Sequence, residues 1–246
     1  MRALLLTAGL LLPLAAACSV ATGERDDGTP GIAAQGTGGT RTYQAADFTA
    51  VELRGADDVD VRVGPGFSVR ADGDSELLDH LKISRVGNAL RISRIRTSGW
   101  NWSGGKAKVS ITMPALADVA VAGSGDVTVD RAQGARFKGA IAGSGNLSVA
   151  TLAVDRAELS LAGSGKARVG GSAKRLTVNI AGSGDVEANG LTVSEADVSI
   201  AGSGSLRAQV DGPAKVSVMG SGDVDLGGKA RCQTSKVGSG SVRCGG

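Results

Sequence analysis

Seven serines recur down the second half of the chain, at Ser124, Ser144, Ser164, Ser183, Ser203, Ser221 and Ser239, each between two glycines. A nucleophilic serine needs a base held beside it. The single histidine, His80, cannot serve seven sites and does not stand in a nucleophile elbow. These residues are read instead as turn serines, their hydroxyls bonding backbone within the bend and between neighbouring copies. Two places further along each copy stand Asp126, Asn146, Lys166, Asp185, Ser205, Asp223 and Ser241. Calcium-binding repeats space Gly and Asp in nonapeptides. Here Lys166 interrupts the acids and the period is wrong, so the column reads as a solvated face and no metal or cofactor is expected. Asp57, Asp58 and Asp60, with Asp72 and Asp74, form the densest carboxylates. A carboxylate pair can cleave a glycosidic bond. These acids read more simply as turn-initiating or solvated residues, with Asp60 facing outward between Val59 and Val61. No catalytic residue is assigned, and the chain is read as a non-enzyme.

Trp100 and Trp102 stand in a Gly-containing loop between Arg94 and Gly105, in a chain with 2% aromatic residues. Two readings are open: an exposed pair that stacks on a sugar or contacts a protein, or a lid over an apolar flank. Cys18 follows a short leader. Arg2, the apolar run Leu4–Leu14 and Ala15-Ala16-Ala17 make residues 1–17 a secretory signal. A Cys directly after it resembles a bacterial lipobox, although Ala15 stands where Leu is usual. The leader is too short to span a membrane, so attachment is expected through lipid on Cys18. Ser19 next to it points to outer-membrane sorting by the rule of enteric bacteria. Residues 18–40, rich in Gly, Ala and Thr, read as a flexible tether. The remaining cysteines, Cys232 and Cys244, are an even pair in an oxidising compartment, and a candidate disulfide. Acids and bases are interspersed at a net charge of +3, which gives no stripe for nucleic acid.

The elements that position these residues follow from the spacing. The Gly-Ser-Gly triplets begin at Gly123, Gly143, Gly163, Gly182, Gly202, Gly220 and Gly238, in steps of 20, 20, 19, 20, 18 and 18 residues. Two places before each stand Val121, Ile141, Leu161, Ile180, Ile200 and Val218; four places after stand Val127, Leu147, Ala167, Val186, Leu206, Val224 and Val242. Alternation on both sides of the triplet predicts strand, bend, strand, loop. A fixed step of this size predicts stacked copies. The expected fold is all-β: a right-handed parallel β-helix of about eight rungs, with the glycines as structural bends. Cys232 and Cys244 fall in inward columns on opposite sides of the last bend. With Thr234 and Lys236 in apolar columns, that rung reads as a cap.

Residues 41–114 are the irregular part of the same single domain, and 115–246 the regular repeats. Phe48–Val63 aligns with Leu116–Arg131 as a degenerate rung, Gly55 matching Gly123. A short helical turn is expected near Ser75–His80, and a hairpin at Gly87-Asn88.

FTAVELRGADDVDVRV from Phe48, LKISRVGNALRIS from Leu81, KVSITMPALADVAVAGSGDV from Lys108 and the triplet series resemble the bacterial putative auto-transporter adhesin, head GIN domain family. The resemblance implies a right-handed β-helix in an exported envelope protein. That family brings no established catalytic residues to carry over. The expected function is a non-enzymatic, lipid-anchored envelope protein presenting a surface for adhesion, with an envelope glycan or protein as ligand. The alternatives are a carbohydrate-active β-helix and a structural envelope protein without a discrete ligand.

Overall fold

The computed structural model describes residues 28–95, 105–227 and 229–245, all of whose strands join one sheet system. Cys18, Trp100 and Trp102 lie outside the described residues. The first layers contain β1 (Ala34–Gln35), β2 (Thr40–Tyr43), β3 (Ala50–Gly55), β4 (Asp58–Val63), β5 (Ser68–Asp72), α1 (Ser75–Asp79), β6 (Leu81–Val86), β7 (Ala89–Arg94), β8 (Lys108–Met113) and β9 (Asp118–Gly123). The stack continues through β10 (Asp126–Gly143), β11 (Asn146–Gly163), β12 (Lys166–Gly182), β13 (Asp185–Gly202), β14 (Ser205–Val210), β15 (Pro213–Gly220), β16 (Asp223–Asp225), β17 (Arg231–Val237) and β18 (Val242–Arg243).

From β9 onward every pairing between rungs is parallel, and each residue lies on its equivalent in the next copy. Gly123, Gly143, Gly163, Gly182, Gly202 and Gly220 form one column. The alternating Val, Ile and Leu positions turn inward into a continuous core. The stretch between the two strands, expected as a loop, is also in strand register. Ala132 pairs with Leu152 and Gly134 with Val154. It buries Leu152, Val154, Leu191 and Val193, so each rung has a third inward-facing stretch. The 19-residue step is absorbed there, where the register shifts between Arg168 and Gly171.

The triplet is stricter than a simple bend. Gly182 has φ +120°, and a Cβ on it would lie 2.5 Å from the carbonyl oxygen of Gly163; one on Gly184 would lie 2.7 Å from that of Gly165. Rungs approach so closely here that any side chain would strike backbone. The approach serves hydrogen bonding: the backbone N–H groups of Ser144 and Gly145 both donate to the Gly123 carbonyl, at 3.0 and 2.9 Å. Ser164, Ser203 and Ser221 donate in the same way to the first glycine of the rung before. The serine hydroxyls themselves are exposed. The tie between rungs expected of the hydroxyl is therefore made by the amide. Gly139, which breaks an otherwise apolar column, has a packing reason: its Cβ would meet Leu147 at 2.8 Å and Leu159 at 3.0 Å.

The stack begins at β3 and β4. Gly55 pairs with Gly123 and Val59 with Val127, partners 68 positions apart in the chain. Beyond them β7 and β8 add a further parallel layer. The end is then closed by antiparallel strands: β6 on β7, β5 on β8, and β2 on β5. Antiparallel pairing stops the propagation of rungs, so the solenoid has about six turns rather than eight. Part of the expected tether is docked on this end: β1 pairs with β2, and Ile32 N–H donates to Ile83 C=O at 2.7 Å.

Candidate functional site

The repeat is broken most deeply between β7 and β8, the stretch that carries Trp100 and Trp102. Its two roots converge on one buried group. Asp57, 0% exposed, accepts hydrogen bonds from Arg94 Nε at 2.7 Å, from Arg94 Nη2 and from the Ala107 N–H at 2.8 Å. Arg94 Nη2 also donates to the Gly105 carbonyl at 3.3 Å. A bidentate guanidinium and a backbone amide satisfy a carboxylate that would otherwise be costly to bury. Asp57 thus binds the residue before the loop to the residues after it. It is spent on this contact and does not act as a free acid.

The sequence carried a signal for this role. Asp57 aligns with Gly125, the second glycine of the triplet, and that column is buried in every rung from Gly125 to Gly240. A carboxylate in a closed column must find an internal cation.

The other acids of the cluster have separate structural duties. Asp58 accepts from Lys106 Nζ at 2.8 Å, and Asp60 pairs with Lys108 at 2.8 Å on the outer face. Asp72 accepts from Thr40 Oγ1 at 2.8 Å and from Arg70 Nη2 at 2.7 Å, and the Arg70 hydrogen bond holds its carboxyl below the usual range. Asp74 caps α1, accepting from Glu76 N–H at 2.9 Å. Up the stack the solvated column is a ladder. Asp126 accepts from Asn146 Nδ2 at 2.7 Å, Asp185 from Ser205 Oγ at 2.5 Å and Asp223 from Ser241 Oγ at 2.6 Å. Hydrogen bonding by Ser241 holds Asp223 below the usual carboxylate range. Where Lys166 interrupts the acids it joins Arg168 on Glu187, at 3.1 and 2.7 Å. These acids are therefore spent on rung-to-rung or local bonds. No group of three or more potential metal-ligating side chains occurs among the described residues.

At the far end Cys232 and Cys244 are joined as a disulfide, their Cα atoms 6.1 Å apart. Both pack partly buried against the core, so the last rung is drawn in below the usual separation of facing sheets. Lys236 lies in the column of Val218, is exposed and donates to the Gly240 carbonyl at 2.7 Å.

The family model for the putative auto-transporter adhesin, head GIN domain, matches residues 47–230. The chain belongs to this family. The matched span takes in the Asp57 clamp and the triplets from Gly123 to Gly222. Solved structures share its fold. A putative adhesin from Bacteroides fragilis superposes with a TM-score of 0.74 at 19% identity, over 82% of this chain and 94% of that one. A putative lipid binding protein from Parabacteroides distasonis gives 0.67 at 23%, over 85% and 97%. A putative adhesin from Parabacteroides merdae gives 0.66 at 20%, over 85% and 96%. No curated protein matches the chain. The solved relatives are named as adhesins or a lipid binding protein, not as enzymes.

Proposed function

We propose that this head GIN domain is a non-enzymatic protein of the bacterial cell envelope that presents its solenoid for adhesion. It is exported by the leader of residues 1–17 and held at the outer membrane by lipid on Cys18. The contact is made by the loop bearing Trp100 and Trp102, with an envelope glycan or protein as ligand. The observation that carries this reading is the Asp57–Arg94 clamp. The ion pair anchors the described residues on both sides of that segment, and anchoring the ends of a contact segment lowers the entropy lost on binding. Rings of that size supply contact area otherwise scarce in this chain.

The test is a screen of the full mature protein against glycans and envelope components, with Trp100→Ala/Trp102→Ala alongside. The wild type is expected to retain a ligand that the double variant releases. Equal binding by both removes the loop from the reading. Mass spectrometry of the mature amino terminus checks the anchor: a diacylated or triacylated Cys18 is expected, and an unmodified terminus excludes it.

A further inference from the structure

A second candidate site lies at the capped end. There β2, α1, β6 and the segment 31–34 surround a cavity of about 250 Å³. Ile32, Leu78, Leu81 and Ile83 form its apolar wall, and Ile95, 43% exposed, stands at its mouth. Tyr43 lines it. The ring is 4% exposed and its hydroxyl is buried with no hydrogen-bond partner. Burial pushes the Tyr43 phenol up in pKa, while Arg41 and Asp79 act on it from either sign, so the hydroxyl stays a neutral donor beside that pair. Alternation along β2 puts Arg41 and Tyr43 on one face. Arg41, with five N–H donors, uses three: to Gly38 C=O at 2.6 Å, to Thr40 C=O at 3.2 Å and to Asp79 at 2.7 Å.

An orphaned buried hydroxyl is costly. Tyr43 lines the same cavity as the apolar wall and as Arg41, a guanidinium with donors to spare. We propose that this cavity binds a medium-chain carboxylate, its alkyl chain against Ile32, Leu78, Leu81 and Ile83 and its head on Tyr43 Oη and Arg41. Asp79 is the competing anion. Its side chain is 64% exposed while that of Arg41 is 11% exposed, so the Asp79 carboxylate can turn to solvent and yield Arg41 to the ligand. Lys82, also on the lining, adds positive charge to the mouth. The adhesion reading does not enter this inference.

Titration calorimetry of the full mature protein with octanoate, below its micellar concentration, tests the site. Saturable one-to-one binding is expected, with octan-1-ol and octyltrimethylammonium at least ten-fold weaker. Tyr43→Phe keeps the wall and removes the donor. It is expected to weaken octanoate by roughly ten-fold, the share of a hydrogen bond to a charged group, while leaving the free protein at least as stable. Asp79→Ala is expected to tighten octanoate by releasing Arg41, and Ile32→Trp to block the cavity. Absence of saturable octanoate binding, equal affinity for octan-1-ol, or binding unchanged in both Tyr43→Phe and Ile32→Trp would each overturn the assignment.

Discussion

The triplet stack and the capped N-terminal layers solve the same problem, closing a β-solenoid, by opposite means. In the stack, rungs are nearly interchangeable. The carbonyl of each triplet's first glycine takes amides of the next rung, the inward columns are apolar, and the outward acids bond neighbouring rungs or their own. In the N-terminal layers no two strands are equivalent. A carboxylate replaces a glycine in the closed column at Asp57, antiparallel strands end the propagation, and a tyrosine hydroxyl is left unpaired. Repetition makes a wall that spends its polar groups on itself. Departure from repetition leaves groups that are still available or that hold something else in place.

That contrast can be broken in four ways, beginning with the most damaging. Gly182→Ala puts a methyl against the Gly163 carbonyl at a positive φ. A loss of about 4 kcal/mol or more is expected, read by chemical denaturation, with insoluble protein as the extreme outcome. A fully stable variant would mean that the rungs can separate at the bend. Asp57→Ala strands Arg94 in a site where its side chain is only 9% exposed. A cost of about 3–4 kcal/mol is expected, with faster amide exchange concentrated at residues 94–107. Unchanged exchange there would remove the clamp from the account. Cys232→Ser with Cys244→Ser is expected to cost about 2–3 kcal/mol. The exchange should be confined to β17 and β18, because nearest-neighbour stacking isolates an end rung.

The gentlest perturbation is acid. Asp72 and Asp223 have carboxyls held below their ordinary value, the first mainly by Arg70 and the second mainly by Ser241. Their contribution is complete above the unfolded carboxylate value, about pH 4, and is lost as pH falls through the lowered folded values. The melting temperature is expected to be flat from pH 7 to 5 and to decline below about pH 4. Asp223→Asn should soften that decline, and an identical acid limb in this variant would show that the ladder bond at Ser241 is not felt.

Most of the stack could be read from residue order. The alternation that buries Val121, Ile141 and Leu161 is a property of any strand, and a constant step forces equivalent residues into columns. Even the stacking of Gly55 beneath Gly123 was visible as an alignment. What was hard to read depended on partners distant in the chain. Of three neighbouring acids, Asp57 turns in while Asp58 and Asp60 turn out. The cation that permits this, Arg94, is 37 residues away. The third inward stretch of each rung was hidden because the varying step puts Ala173 one place out of line with its partners Val154 and Val193. The cap was hidden because the antiparallel pairing of β5 with β8 lies in no local pattern.

By itself, then, the sequence determined the period, the inward columns, the glycine bends and the parity that puts Cys232 and Cys244 on the core side of the last rung. All of these follow from short-range geometry repeated at a fixed step. Only the tertiary structure decided where the rungs stop and that the amide, not the hydroxyl, ties the serines from Ser124 to Ser221 to the rung before. It also decided which carboxylate is buried, and that Tyr43 ends beside Arg41 with no partner. Each of those depends on which strands meet, and that is settled by the packing of the whole chain.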